Sequence, residues 1–198
     1  SLKYGGTANV VLPDGIFTNL GNTNLKQLII DTCYIESIIS LPVGSFFNTP
    51  KKTYILTLHK KSEEDINDNK KQDCKVFTYI CKSIGEELNV NRFDTPDDND
   101  LHNAVVKYNS YKNIQNKNDI QEPFKGWFDA DGKMKLLSID NFSASENWNI
   151  DNFWSDEEKI SLGFKEADNQ MTLDEFKSFC NELVNDITNY KEAIECLM

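Results

Sequence analysis

Residues 5–61 constrain the fold more than any other part of the chain, because three apolar runs fall there in a fixed order. Residues 8–12 (ANVVL) are rich in β-branched side chains and stop at Pro13-Asp14-Gly15. Residues 35–41 (IESIISL) stop at Pro42 and Gly44, and residues 53–59 (TYILTLH) alternate between apolar and polar. Continuous runs of this length fit buried central strands, whereas alternation fits a strand nearer an edge. Between the first two runs, Leu25, Leu28, Ile29 and Thr32 recur at helical spacing, with Asn22 or Thr23 placed to cap the helix. A strand–helix–strand unit of this size predicts a parallel sheet with a right-handed crossover. The third strand follows a loop of about ten residues, short enough for it to run antiparallel to the second.

Composition sets the setting for that unit. A chain of 198 residues is long enough for one good-sized domain, or a domain with an appendage. Its hydrophobic content of 39% and mean hydropathy of -0.54 imply much surface, loop or partner-facing chain. No run approaches the length of a membrane span, and no signal-peptide pattern is present. The chain opens directly into a glycine turn and a strand, as expected of a piece of a longer protein. Five cysteines (33, 74, 81, 180 and 196) with no two-residue spacing imply free, reduced thiols in a cytoplasmic protein and no metal site.

The formal charge of -11 is unevenly spread. Residues 1–61 hold six lysines against three acids, a balance of +3, and the remaining 15 basic and 29 acidic residues leave -14. Neutralising phosphates needs clustered Lys or Arg, so any contact with DNA is expected near Lys51 and Lys52.

Downstream, residues 62–74 are polar and aperiodic and predict an exposed loop, and residues 75–80 predict a further strand. Residues 85–100 form a surface excursion, residues 101–108 a short amphipathic helix, and residues 109–122 an Asn/Lys/Gln-rich linker. Beyond the linker, Phe124, Trp127, Phe128, Phe142, Trp148, Phe153 and Trp154 are expected to pack a small irregular core rather than a base-stacking surface, since the residues between them are acidic. The segment 129–132 (DADG) is no EF-hand, because Gly132 as sixth position puts Trp127 first and Ser138 last; it reads as a tight turn. Ser155 to Glu158 is a capping box, as is Thr172 to Glu175. After the second box, Leu173, Phe176, Cys180, Leu183, Ile187, Tyr190, Ile194 and Leu197 are spaced 3, 4, 3, 4, 3, 4 and 3. That heptad seam over 172–197 fits a helix packed on its own domain and equally one presented to another subunit.

The order GG-x-A-x-VVLPDG-x-F, a helix, then IISLP-x-G-x-FF-x-TP-x-KT-x-IL resembles the adenine-N6 DNA methyltransferases, above all the modification subunits of type I restriction systems and their fused relatives. The segment VFTYICKSIGEELN…TPDDNDL resembles the end of that family's catalytic domain. The family's F-x-G-x-G cofactor turn and its Asn-Pro-Pro-Tyr/Phe motif occur nowhere in the sequence. The resemblance therefore implies an α/β fold: a partial class I (Rossmann-like) methyltransferase sheet over 1–108, the linker 109–122, and an aromatic-rich, mostly helical segment over 123–198.

It also implies a division of labour. The chain would contribute the target-base side of the cleft of a site-specific adenine-N6 enzyme, inactive alone, with S-adenosylmethionine bound by the missing half. The alternative is a non-catalytic docking module for a specificity subunit. Partners implied are double-stranded DNA, the specificity subunit and the missing N-terminal half, with no membrane. By motif position the base-stacking residue lies in the loop 44–50 and is Phe47, with Phe46 second. Adjacent side chains on an extended segment point opposite ways, so one of the two is expected to plug the core. Lys51, Lys52 and Thr53 would hold the DNA backbone, or else simply begin a solvated strand. Pro13, Asp14 and Gly15, after the first strand, would shape the cleft, Asp14 alternatively closing its own turn. The partner helix would use Leu173, Phe176, Cys180, Leu183, Ile187, Tyr190 and Ile194.

Overall fold

The four expected strands and a fifth that the sequence did not announce form one mixed sheet. In the computed structural model, which describes residues 2–47, 49–114, 117, 120, 124–166, 174, 176–184 and 187, they are β1 (Thr7–Pro13), β2 (Cys33–Leu41), β3 (Thr53–Lys60), β4 (Val76–Ile80) and β5 (Met134–Leu137). The order across the sheet is β1-β3-β2-β4-β5. β3 pairs antiparallel to both β1 and β2, β4 runs parallel to β2, and β5 returns antiparallel to β4. Thus β1, β2 and β4 share one direction, and their carboxyl ends lie along one edge of the sheet.

The helix between the first two strands is α2 (Thr23–Thr32), preceded by the one-turn α1 (Asp14–Thr18). Helix α2 links two strands of the same direction, but β3 inserts between them. This reverses the expected burial: β1 is the sheet's edge, with Val10 and Val11 exposed, while alternating β3 is interior. Apolar run length reports how much a strand can bury; the hairpin between β2 and β3 decides which neighbour it gets.

The face of α2 also differs. Leu25 and Leu28 are exposed, whereas Lys26 is buried at 1% and Ile29 and Ile30 pack on the core. The Lys26 Nζ donates to Phe17 O at 2.7 Å and Glu146 O at 2.8 Å and lies 5.5 Å from the centre of the Trp148 ring. Burial pulls its ammonium below the ordinary lysine range, with the Glu146 carboxylate opposing. Asn22 does not cap the helix with its side chain; its amide nitrogen donates to Gly15 O at 2.9 Å.

Both faces of the sheet are covered, as a strand with side chains alternating between faces requires. One face packs Ile35, Ile38, Tyr54, Leu56, Val76 and Ile80 against Phe17 and the downstream Phe142, Trp148, Ile150 and Trp154. The other packs Ile39, Leu41, Phe77 and Tyr79 against α4 (Asp100–Lys112) and α5 (Phe124–Asp129) through Ala104, Tyr111 and Phe128. The downstream aromatics therefore complete the sheet's own core rather than a separate small one, and Phe124 and Trp127 stay exposed.

Two other expectations change. The segment 62–74 contains α3 (Glu63–Asn67), capped by Ser62, whose hydroxyl accepts from Asp65 N. The expected linker at 109–122 starts inside α4, and the chain continues into the same sheet through β5. The chain divides instead into Ser1–Phe164 and Lys165–Met198. An α/β sheet region is thus followed by helical segments. In the second unit residues 174, 176–184 and 187 are helical; Phe176, Leu183 and Ile187 are exposed and Cys180 half-buried. Leu173, Tyr190 and Ile194 of the expected seam lie outside the described residues, as does the second capping box apart from Asp174. The first capping box is formed and starts α6 (Asp156–Ser161). Cys33, Cys74, Cys81 and Cys180 are free thiols.

The 129–132 segment is the tight turn expected, with Gly132 at φ 65°. It anchors a charge pair between a buried lysine and a half-buried aspartate: Lys107 Nζ lies 2.8 Å from Asp131, whose other oxygen accepts from Tyr79 Oη at 2.7 Å. Burial alone would raise the Asp131 carboxyl; hydrogen bonds from Lys107, Tyr79 and the Lys133 amide outweigh it and hold it below the usual aspartate value. A pKa depressed on folding stabilises fully above the unfolded value of about 4 and fades as pH falls through the folded one. Asp131→Asn should therefore cost about 2 kcal/mol at pH 7 and progressively less below about pH 4. Urea denaturation of both forms across that range measures it; a gap that does not narrow on acidification contradicts the assignment.

Candidate functional site

The carboxyl edge of β1 and β2 is where the chain places most residues singled out from the sequence. Pro13 closes β1 and pairs with Thr53, the first residue of β3. The Asp14 amide donates to Lys52 O at 3.0 Å. The segments 13–15 and 51–53, distant in sequence, are therefore held side by side. Pro13-Asp14-Gly15 is not an open turn: Asp14 and Gly15 already belong to α1, which Pro13 precedes as N-cap without a side-chain bond.

Between β2 and β3 the chain makes two successive turns. Ser45 N and Oγ both donate to Pro42 O, and Thr49 N donates to Phe46 O at 3.2 Å. Phe46 thus enters a turn instead of an extended segment, and neither phenylalanine plugs the core. Phe47 is 69% exposed and Phe46 42%. Asn48, between them and Thr49, lies outside the described residues.

The three expected backbone-holding residues differ from one another. Lys51 is exposed. Lys52 is drawn inward, 3.3 Å from Asp151 and 6.0 Å from the centre of the Tyr54 ring. Thr53 is buried at 5%, and its hydroxyl is the one buried side-chain polar atom without a hydrogen-bond partner among the described residues. Thr53 faces the interior, so a surface phosphate does not reach its hydroxyl.

Sequence reasoning missed the residue that organises this edge. Asp151 comes from the downstream segment, more than a hundred positions from β2. Its carboxylate accepts from Ser40 Oγ at 2.9 Å and from Tyr54 Oη at 2.7 Å, besides the Lys52 pair. Tyr54 Oη also lies 3.0 Å from Asn149 Oδ1. Burial first, then the charge of Asp151, pushes the Tyr54 phenol far above its ordinary value, so it stays a donor. A sequence signal existed. Ile-Asp-Asn-Phe occurs twice, at 139–142 and 150–153, and both copies form one-turn 3₁₀ helices capped by the preceding Ser138 or Asn149. Local bonding of this kind favours turns over regular structure.

Among the described residues no cluster of acidic, histidine or cysteine side chains is placed to hold a metal. A cavity of about 430 Å³ lies at the opposite end of β2, lined by Cys33, Ile35, Lys61 and Phe142 among others. It is remote in the sheet from the Pro13–Thr53 edge.

With the fold and this edge described, comparison with known proteins gives the class. A family model described as N-6 DNA Methylase matches residues 1–159, and the chain belongs to that family. It is similar to the methylase subunit of the type I restriction enzyme EcoKI of Escherichia coli strain K12, at 31% identity over 80 residues. It is also similar to the StySJI methylase subunit of Salmonella typhimurium strain LT2, at 30% over 80 residues. Each match covers 40% of this chain and 15% of the relative, so the chain spans a small part of those proteins' length. A solved chain of a type I R-M system superposes over 98% of this chain and 36% of its own, with TM-score 0.53 at 11% identity, a likeness of fold.

Asp151→Ala should destabilise the chain by about 2–3 kcal/mol, because it strips a charged acceptor from two buried hydroxyls and an ammonium. Asp151→Asn, which keeps the acceptor oxygen and loses only a partly exposed ion pair, should cost about 1 kcal/mol or less. Urea unfolding of the two variants decides; equal costs would mean that the charge, not the hydroxyl contacts, holds this edge.

Proposed function

We propose that this chain forms the target-base side of the cleft of a site-specific adenine-N6 DNA methyltransferase in a restriction-modification system. The observation that carries the reading is the exposed Phe46–Phe47 turn in the β2–β3 connection, which leaves the sheet at the carboxyl edge where Pro13 pairs with Thr53. Methylating the exocyclic amine of adenine requires the base to leave the duplex, and an extruded base needs an aromatic face to stack on. Phe47, the more exposed ring, stacks on the base. Lys51 holds the neighbouring phosphate, while Lys52, tied to Asp151, fixes the start of β3. Open α/β sheets bind ligands outside the carboxyl ends of their strands, which supports the placement.

The residues at this edge do not fit S-adenosylmethionine by themselves. Pro13 runs straight into α1 with no glycine-rich turn between strand and helix, and the sequence holds no Asn-Pro-Pro motif to accept the amine hydrogens. The methyl donor and those acceptors belong to another part of the complete enzyme. The exposed edge of β1, with Val10 and Val11, offers a strand-pairing surface for it. The helix of the second unit is the contact for a specificity subunit. Phe176, Phe179, Leu183 and Ile187 are exposed along it, and Asp174 and Glu182 beside them favour a basic partner helix.

Three outcomes test these roles. Calorimetry of the chain alone with S-adenosylmethionine should give no saturable heat; micromolar binding would overturn the division of labour. In the complete enzyme, Phe47→Ala should remove about 1–3 kcal/mol of base stacking, cutting methylation and the signal of a fluorescent adenine analogue while duplex binding persists. If Phe46→Ala loses the signal and Phe47→Ala keeps it, the two rings exchange roles. Leu183→Asp with Ile187→Asp should abolish co-purification with a specificity subunit while the sheet unit stays folded; global unfolding would make the helix part of the chain's own core.

A further inference from the structure

The sequence contains a single arginine, and the fold spends it on the aromatic turn. Residues 85–95 double back on themselves: Glu87 N donates to Phe93 O at 2.9 Å and Thr95 N to Gly85 O at 2.8 Å. At the tip, Asn89 Oδ1 accepts from the amides of Asn91 and Arg92, and Arg92 takes φ 51°, a region few side chains with a Cβ occupy. This backbone turns the Arg92 side chain toward the β2–β3 connection. One guanidinium nitrogen, Nη1, donates to Glu86 Oε1 at 3.0 Å and the other, Nη2, to the carbonyl of Gly44. The side chain is only 17% exposed. Gly44 itself sits at φ 86°, and a Cβ there would lie 3.7 Å from Leu88 O, so the excursion packs directly on the turn that leads to Phe46 and Phe47.

We propose that Arg92 is a positioning residue that holds the Phe46–Phe47 turn at a fixed height over the sheet edge, by clamping the Gly44 carbonyl to Glu86. Its functional meaning rests on the reading of that turn as the base-stacking element. A planar guanidinium bridges two acceptors in fixed relative positions, which a single ammonium does not. The excursion is thereby a buttress: its chain reversal and its positive-φ tip serve to aim one side chain at one carbonyl. A turn carrying two exposed aromatic rings has little packing of its own to keep it in place, and a charge-assisted bond to its first glycine supplies the missing restraint.

Hydrogen exchange of the full chain, read by mass spectrometry on peptides covering 42–47, tests the clamp without DNA. Arg92→Asn keeps a residue that tolerates the left-handed backbone and removes the guanidinium. It should raise exchange in that segment on the order of tenfold, the loss expected for one hydrogen bond to a charged group, and leave β2 and β3 unchanged. Added millimolar guanidinium should restore protection, a rescue that a general loss of stability does not show. Glu86→Gln should give a smaller rise in the same segment. Unchanged exchange over 42–47 in Arg92→Asn, or an equal rise across the sheet strands, overturns the proposal. In the complete enzyme Arg92→Asn should also weaken the extruded-base signal. If the clamp is seen by exchange while Phe47→Ala leaves that signal intact, the stacking reading fails and the positioning role stands.

Discussion

The insertion of β3 between two parallel strands governs nearly everything at the functional edge. β1 and β2 point the same way, joined over the top by α2, and β3 must enter antiparallel to both. The chain therefore has to reverse at the carboxyl end of β2, and the reversal has to span from Leu41 to Thr53, which pair with each other. A connection of this length at that edge carries side chains out over the sheet, and two of them are phenylalanines. The same insertion pairs Pro13 with Thr53, so the segment after β1 and the start of β3 meet without any direct sequence relation.

Several carboxylates hold that edge together. Asp151 draws Ser40, Tyr54 and Lys52 together, Asp100 accepts from the Lys82 amide and pairs with Lys133 at 2.6 Å, and Lys107 pairs with Asp131. Each carboxylate comes from a segment downstream of the sheet strand it serves. Buried polar groups left unpaired cost far more than paired ones gain, so such sets are geometrically demanding. They fasten the downstream segments to the carboxyl ends of β2 and β4 and the amino end of β3 in one register. Buried lysines do the same elsewhere: Lys26 ties α2 to Glu146, and Lys61 donates to Ile30 O and Lys70 O, each 2.8 Å or shorter.

The chain belongs to the N-6 DNA methylase family and spans a small share of the curated relatives it matches. β1 is an edge strand with exposed valines, and α2 shows Leu25 and Leu28 to the outside. Apolar side chains exposed on an edge strand and on an adjoining helix form a surface that a further element can cover. The downstream aromatics behave in the opposite way. Phe142, Trp148 and Trp154 are buried because they seal a sheet face from within the same chain.

The sequence by itself determined the strand–helix–strand unit, the β2–β3 reversal, the capped helix after Ser155 and the aromatic pair at the turn. All of these are local: apolar period, turn residues and caps act over a few positions, so spacing alone exposes them. Tertiary structure decided which strand became the edge, which face of α2 was buried, and that residues 124–164 join the sheet instead of forming a separate domain. It also turned Thr53 inward, tied Lys52 to Asp151 and aimed Arg92 at Gly44. Those outcomes depend on which distant segments meet. A hydrogen bond or ion pair between positions a hundred residues apart leaves no periodic trace in the chain, because its only requirement is one donor and one acceptor brought together by the fold.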